Sequence, residues 1–107
     1  MGRADRNGGL LALTGAELAG RLASGALRAV ELVEACLSQI AAREPEVQAW
    51  AFLDGDHAMA QARALDARRQ SGAALGPLHG LPVGVKDVID VRGMPTGLGL
   101  AGGAGRV

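Results

Sequence analysis

One stretch constrains this chain more than any other: the apolar run Val83-Gly84-Val85-Lys86-Asp87-Val88-Ile89, which follows three helical patterns and has no second run like it. Its valine and isoleucine content suits a buried strand, and a buried strand pairs its backbone on both sides. One strand is not a sheet. The expected fold class is therefore α/β, with N-terminal helices leading into a central strand whose partners lie elsewhere. An unpartnered apolar strand invites aggregation or pairing with another polypeptide, because its N–H and C=O groups stay unsatisfied.

Upstream of that run the apolar residues follow a helical period. Thr14 and Glu17 stand three apart, as in a capping box, so a helix is expected to start there. Leu18 and Leu22 fall on one face, and Ser24-Gly25 offers an exit where glycine accepts a left-handed backbone. Over residues 29–43, Val30, Val33, Leu37 and Ile40 recur at spacings of three and four, which predicts the clearest helix of the chain. Pro45 is expected to end it, since proline disfavours a helical conformation in the residue before it. Residues 49–53 read as a short extended segment. Asp54 then stands where it can cap a third helix reaching Gln70, with Ala58, Ala62 and Leu65 on one side and Ser71-Gly72 at its close. Gly76-Pro77, Gly80 and Pro82 exclude helix before the apolar run, and from Gly93 the chain is glycine-rich without period. The expected organisation is one incomplete domain: a tail over 1–13, a helical part over 14–72, a lysine-bearing strand segment over 76–92 and a glycine-rich loop over 93–107.

Composition narrows the partners. Basic and acidic residues number 11 each and are mixed along the helices, so no basic face stands ready for nucleic acid or an anionic membrane. Cys36 has no second cysteine to pair with, and with only His57 and His79 beside it no zinc-type ligand set can be drawn. No metal and no cofactor are expected, and the compartment is expected to be reducing. The apolar run over 10–13 is too short for a signal-peptide core, and no run is long enough to span a bilayer. The expected location is the cytoplasm. With Trp50 and Phe52 as the only aromatic side chains, any core must come from Leu, Val, Ile and Ala, and a 107-residue chain buries a modest share of its surface.

Lys86 is the only lysine; every other basic side chain is arginine. Arginine stays protonated in proteins, whereas a desolvated lysine amine can lose its proton and act as a base. Two readings follow from the pattern. Lys86 and Asp87 can sit at a strand end, with the lysine reaching solvent or making an ordinary ion pair. Alternatively Lys86 is a base held among apolar neighbours.

The residues around it carry a resemblance. Gly76-Pro77-Leu78-His79-Gly80-Leu81-Pro82-Val83-Gly84-Val85-Lys86-Asp87-Val88-Ile89-Asp90 resembles the segment around the catalytic lysine of the amidase-signature family. Upstream, the stretch from Leu13-Thr14 to Val47-Gln48-Ala49-Trp50 is similar to the family's opening helices, and Gly93-Met94-Pro95-Thr96 looks like the loop after its lysine strand. The resemblance implies a large α/β enzyme in which the run around Lys86 is the first central strand of a mixed sheet. It also implies hydrolysis of small-molecule carboxylic amides by a Ser, cis-Ser, Lys triad, with Lys86 as the base. In that scheme the neutral amine takes a proton from the middle serine, which relays it from the nucleophilic serine. Asp87 is expected instead to bond nearby backbone amides and fix the strand.

The chain departs from the family in one respect. Ser24, Ser38 and Ser71 all precede Lys86 in the helical part, where turn or helix-end roles are expected, and Thr96 is the only hydroxyl after it. The expectation is a fragment that is inactive alone. The competing readings are a non-catalytic remnant or helical binding module, and a piece of the A subunit of the family's glutamine amidotransferases; homo-oligomers are compatible with all of them. Gly97-Leu98-Gly99-Leu100-Ala101-Gly102 matches a dinucleotide-binding pattern in letters, but Pro95 precedes it and too few residues follow for a helix. His79 is expected to pack in a loop, Cys36 to fill a small core position, and His57 to be solvated on the third helix.

Overall fold

The computed structural model describes residues 9–98, and in them three helices form: α1 over Gly15–Ser24, α2 over Ala29–Val47 and α3 over Gly55–Gln70. A short 3-10 turn, Leu10–Ala12, precedes α1. The capping box at α1 is complete: Thr14 Oγ1 accepts the Glu17 N–H at 3.1 Å, and Glu17 Oε1 accepts the Thr14 N–H at 3.0 Å. Gly25 ends α1 in the left-handed region at φ 85°, where a side chain would be strained.

The start of α2 is held from outside. Its first amides would have no intrahelical partner, and Asp66 of α3 accepts both, Ala29 N–H at 2.7 Å and Val30 N–H at 3.1 Å. A carboxylate there also meets the positive end of the helix dipole. This bond fixes α3 across α2. α3 itself begins as expected, with Asp54 Oδ1 accepting the His57 N–H at 3.0 Å, and Ser71-Gly72 closes it.

Pro45 does not end α2, which continues to Val47. Proline has no N–H to give to the carbonyl four residues back and disfavours helix in the residue before it, and α2 runs only two residues beyond Pro45. The helix stops at Gln48, whose backbone is left-handed at φ 51° and donates to Glu44 C=O at 2.8 Å. The Glu44 carboxylate then accepts Ala49 N–H at 3.0 Å and Trp50 N–H at 2.9 Å, which sets the direction of the departing segment.

The core gathers Leu22 from α1, Leu27 from the connection, Ala29, Leu32 and Val33 from α2 and Ala62 from α3. Val30, Leu37, Ala58 and Leu65 pack around it as their periodicity predicts, whereas the fully buried Leu32 lies one position off the stripe read from the sequence. Leu10 packs on the same core.

The expected strand does not form. Among the described residues there is no strand, only an isolated antiparallel bridge between Val91 and Met94. Residues 81–86 have no regular secondary structure, and Lys86 opens a turn in which Ile89 N–H donates to Lys86 C=O at 3.0 Å. A ladder needs a second strand, and the described residues supply none. The expected helices form and the expected strand does not, so the described part of the chain is helical. The tail up to residue 8 and the glycine-rich stretch from residue 99, including most of the dinucleotide-like pattern, lie outside the described residues.

Candidate functional site: the lysine turn

Two anchors bring the segment after α3 onto the helices. Gly80 is buried at φ 79°, and a β-carbon there would stand 3.1 Å from Leu22 Cδ2 and 3.3 Å from Ala29 Cβ. Only glycine fits both that backbone and that space. His79 beside it is buried, as its expected packing role requires, and Leu81 packs against the core. Further along, the Trp50 ring covers Gly84, where an added β-carbon would meet Cη2 at 3.2 Å. The stretches after α2 and before Lys86 therefore meet at Trp50 and Gly84.

Lys86 emerges from this segment exposed to solvent. Among the described residues no strand lies beside it, so the desolvated setting expected of a central strand is not found there. Val83, Val85, Val88 and Ile89 around it are exposed too.

Immediately after Lys86 the backbone is tied into a closed loop. Asp87 Oδ1 accepts the Gly97 N–H at 2.7 Å, and the Asp87 backbone carbonyl accepts the Leu98 N–H at 3.1 Å. Asp90 Oδ1 accepts the Thr96 hydroxyl at 2.8 Å, with Thr96 buried. Inside these rungs Met94 N–H donates to Val91 C=O at 3.1 Å, and Gly93 supplies the turn at φ 81°. Asp87 thus bonds a backbone amide as expected, though it ties a loop and not a strand. Asp90, Thr96 and Gly97 were not legible as partners; the available signal was Gly93 between two short polar arms, which marks a reversal without naming its rungs.

The serines are used locally. Ser24 Oγ donates to Arg21 C=O at 3.1 Å and Ser71 Oγ to Arg68 C=O at 2.7 Å, both at helix ends. Ser38 lies exposed on α2. Cys36 is half-buried against the core, and burial pushes its thiol up, which disfavours the thiolate. Among the described residues no group of three or more His, Cys, Asp or Glu side chains could hold a metal ion. No described helix is long and apolar enough to cross a membrane.

Comparison with known proteins places the whole stretch in a family. The family model described as Amidase matches residues 31–107, so the chain belongs to the amidase-signature family. Among individual proteins it is similar to the A subunit of glutamyl-tRNA(Gln) amidotransferase from Chloroflexus aurantiacus, at 52% identity over 89 residues covering 83% of this chain and 18% of that protein. It is likewise similar to the protein of that name from Streptomyces avermitilis, at 44% identity over 95 residues covering 89% of this chain and 19% of that protein. The chain thus spans about a fifth of the length of these curated relatives. No solved structure matches it.

Proposed function

We propose that this chain supplies Lys86, as the proton acceptor, to an amidase-family enzyme that cleaves the carbon–nitrogen bond of carboxylic amides. The observation that carries the reading is the position of Lys86, the only lysine, inside the stretch matched by the family model. A lysine amine and a serine hydroxyl make a nucleophile–base pair when the amine is neutral and the hydroxyl donates to it.

In the complete enzyme two serines from outside these 107 residues join Lys86. The amine takes a proton from the middle serine as that serine takes one from the nucleophile, whose oxygen attacks the carbonyl carbon. The protonated lysine returns the proton through the same relay to the leaving nitrogen, which departs as ammonia or an amine and leaves an acyl-enzyme. Water, deprotonated by the same route, then releases the acid. Covering of the exposed turn by the rest of an α/β domain would favour the neutral amine by desolvation. The exposed Val83, Val85, Val88 and Ile89 suit such a cover, since large apolar side chains left in solvent gain by being buried.

The substrate reading follows the relatives. Their shared name is that of an amidotransferase component, so the amide proposed here is glutamine and the product retained for use is ammonia. The enzyme acts in the cytoplasm, without metal or cofactor. The test is ammonia release from glutamine and from a simple aliphatic amide by the enzyme that contains this segment. Faster release from glutamine supports the amidotransferase reading, preference for the simple amide supports a general amidase, and turnover of neither contradicts both.

The same exposed apolar groups, with Trp50 and Phe52, also favour a second reading, in which the chain is a helical module that docks on a companion polypeptide. The two readings differ in one observable: only the first needs the Lys86 amine.

A further inference from the structure

We infer that Asp87 is a positioning residue for Lys86, acting by holding the Gly97 amide and so closing the loop that begins at the lysine. The inference rests on the proposed reading of Lys86 as the base. Three observations carry it. Asp87 is the next residue in sequence, and it ties the loop twice, through Oδ1 to Gly97 N–H at 2.7 Å and through its backbone carbonyl to Leu98 N–H at 3.1 Å. A second rung, Thr96 Oγ1 to Asp90 Oδ1 at 2.8 Å, lies just inside it with Thr96 buried. Gly97 has no room for a side chain, since a β-carbon there would stand 2.7 Å from Asp87 Oδ2.

The physics is that of preorganisation. Lys86 C=O accepts the Ile89 N–H in the turn that leads into the loop, so the backbone carrying the amine is fixed on its C-terminal side by Asp87 and its partners. A charge-assisted hydrogen bond to a backbone amide is shorter and stronger than a neutral one, which suits a carboxylate to this task. A displacement of about 1 Å in a reacting group can cost roughly 100-fold in rate, so a loosened turn should appear in turnover. An oxygen acceptor is what the latch needs. A charge acting directly on the amine is a different role and predicts a different response.

The experiment uses the enzyme containing this segment, with Asp87→Asn, Asp87→Ala, Gly97→Ala and the double variant Asp87→Ala/Gly97→Ala. Asp87→Asn retains an acceptor oxygen and should keep kcat within about 3-fold, with an unchanged pH profile. Asp87→Ala should lower kcat about 10- to 100-fold at nearly constant KM. Gly97→Ala should do the same by pushing the carboxylate away, and the double variant should be no worse than either single one, because both break one contact. Equal loss in Asp87→Asn and Asp87→Ala with a displaced pH profile would show that the charge acts on the amine, and would overturn the positioning role. Full activity of Asp87→Ala would overturn it as well.

Two controls separate this inference from the reading beneath it. Lys86→Ala that retains full turnover would defeat the base assignment, and the positioning role with it. The latch is also read without catalysis, from hydrogen exchange at the Gly97 amide in the 107-residue chain. Exchange should quicken in Asp87→Ala and stay slow in Asp87→Asn; equal exchange in Asp87→Ala and the parent would overturn the latch while leaving the lysine assignment standing.

Discussion

Single carboxylates do most of the work that orients this chain, and each does it by accepting from backbone amides. Asp66 holds the two free amides that open α2, Glu44 the two that follow it, and Asp87 the amide of Gly97. Asp66→Ala should therefore cost about 1–2 kcal/mol, more than the roughly 0.5–1 kcal/mol expected for the exposed cap Thr14→Ala, as read from urea unfolding followed by circular dichroism. Glu17 gives a pH signature. The backbone hydrogen bond from Thr14, followed by that residue's side chain, holds its carboxyl below the ordinary value of 4.5. A group whose value is lowered in the folded state contributes stability above its unfolded value and loses it as pH falls through the folded one. Unfolding midpoints should thus decline below about pH 4.5, and Glu17→Gln should flatten a small part of that decline. The Thr14–Glu17 box and the Asp54 cap were legible because their partners lie three residues away. Asp66 was not: its partners are 37 and 36 residues distant and only the packing of α3 on α2 unites them.

Among the elements, the helices were readable and the segment after them was not. Periodicity placed α1, α2 and α3, and α3 begins and ends where Asp54 and Ser71-Gly72 put it. Pro45 misled by two residues: it removes one bond to the preceding turn, yet α2 runs on to Val47 before it stops. The run around Lys86 misled for a different reason. β propensity describes what a sequence does when a neighbouring strand exists, and none exists among the described residues. What positions that run instead is Gly80, wedged between Leu22 and Ala29. Gly80→Ala should cost roughly 1–3 kcal/mol, combining a left-handed backbone with overpacking against α1 and α2. The same variant should expose His79, which raised reactivity toward diethyl pyrocarbonate would register.

At the scale of the whole molecule, the core is small and the apolar surface is large. Leu22 and Leu32 are the largest fully buried side chains, while Trp50, Phe52, Leu78, Val83, Val88 and Ile89 stand in solvent. Exposed apolar surface of this extent marks an interface, and the chain spans about a fifth of the length of its curated relatives. The family was legible most densely in the segment around Lys86, which carries the glycines, the proline and the lysine together, with the opening helices and the loop after it in support. Of the proposed site the sequence singles out Lys86, as its only lysine, while the serines proposed to join it are not among these residues. The central claim is that the amine of Lys86 serves the chemistry. The measurement that reaches it most directly is the rate of ammonia release from glutamine by the enzyme containing this segment, with Lys86 and with Lys86→Ala. The expected result is a loss of roughly 1,000-fold or more in kcat with the folded state preserved. A folded Lys86→Ala enzyme within about 3-fold of its parent would contradict it.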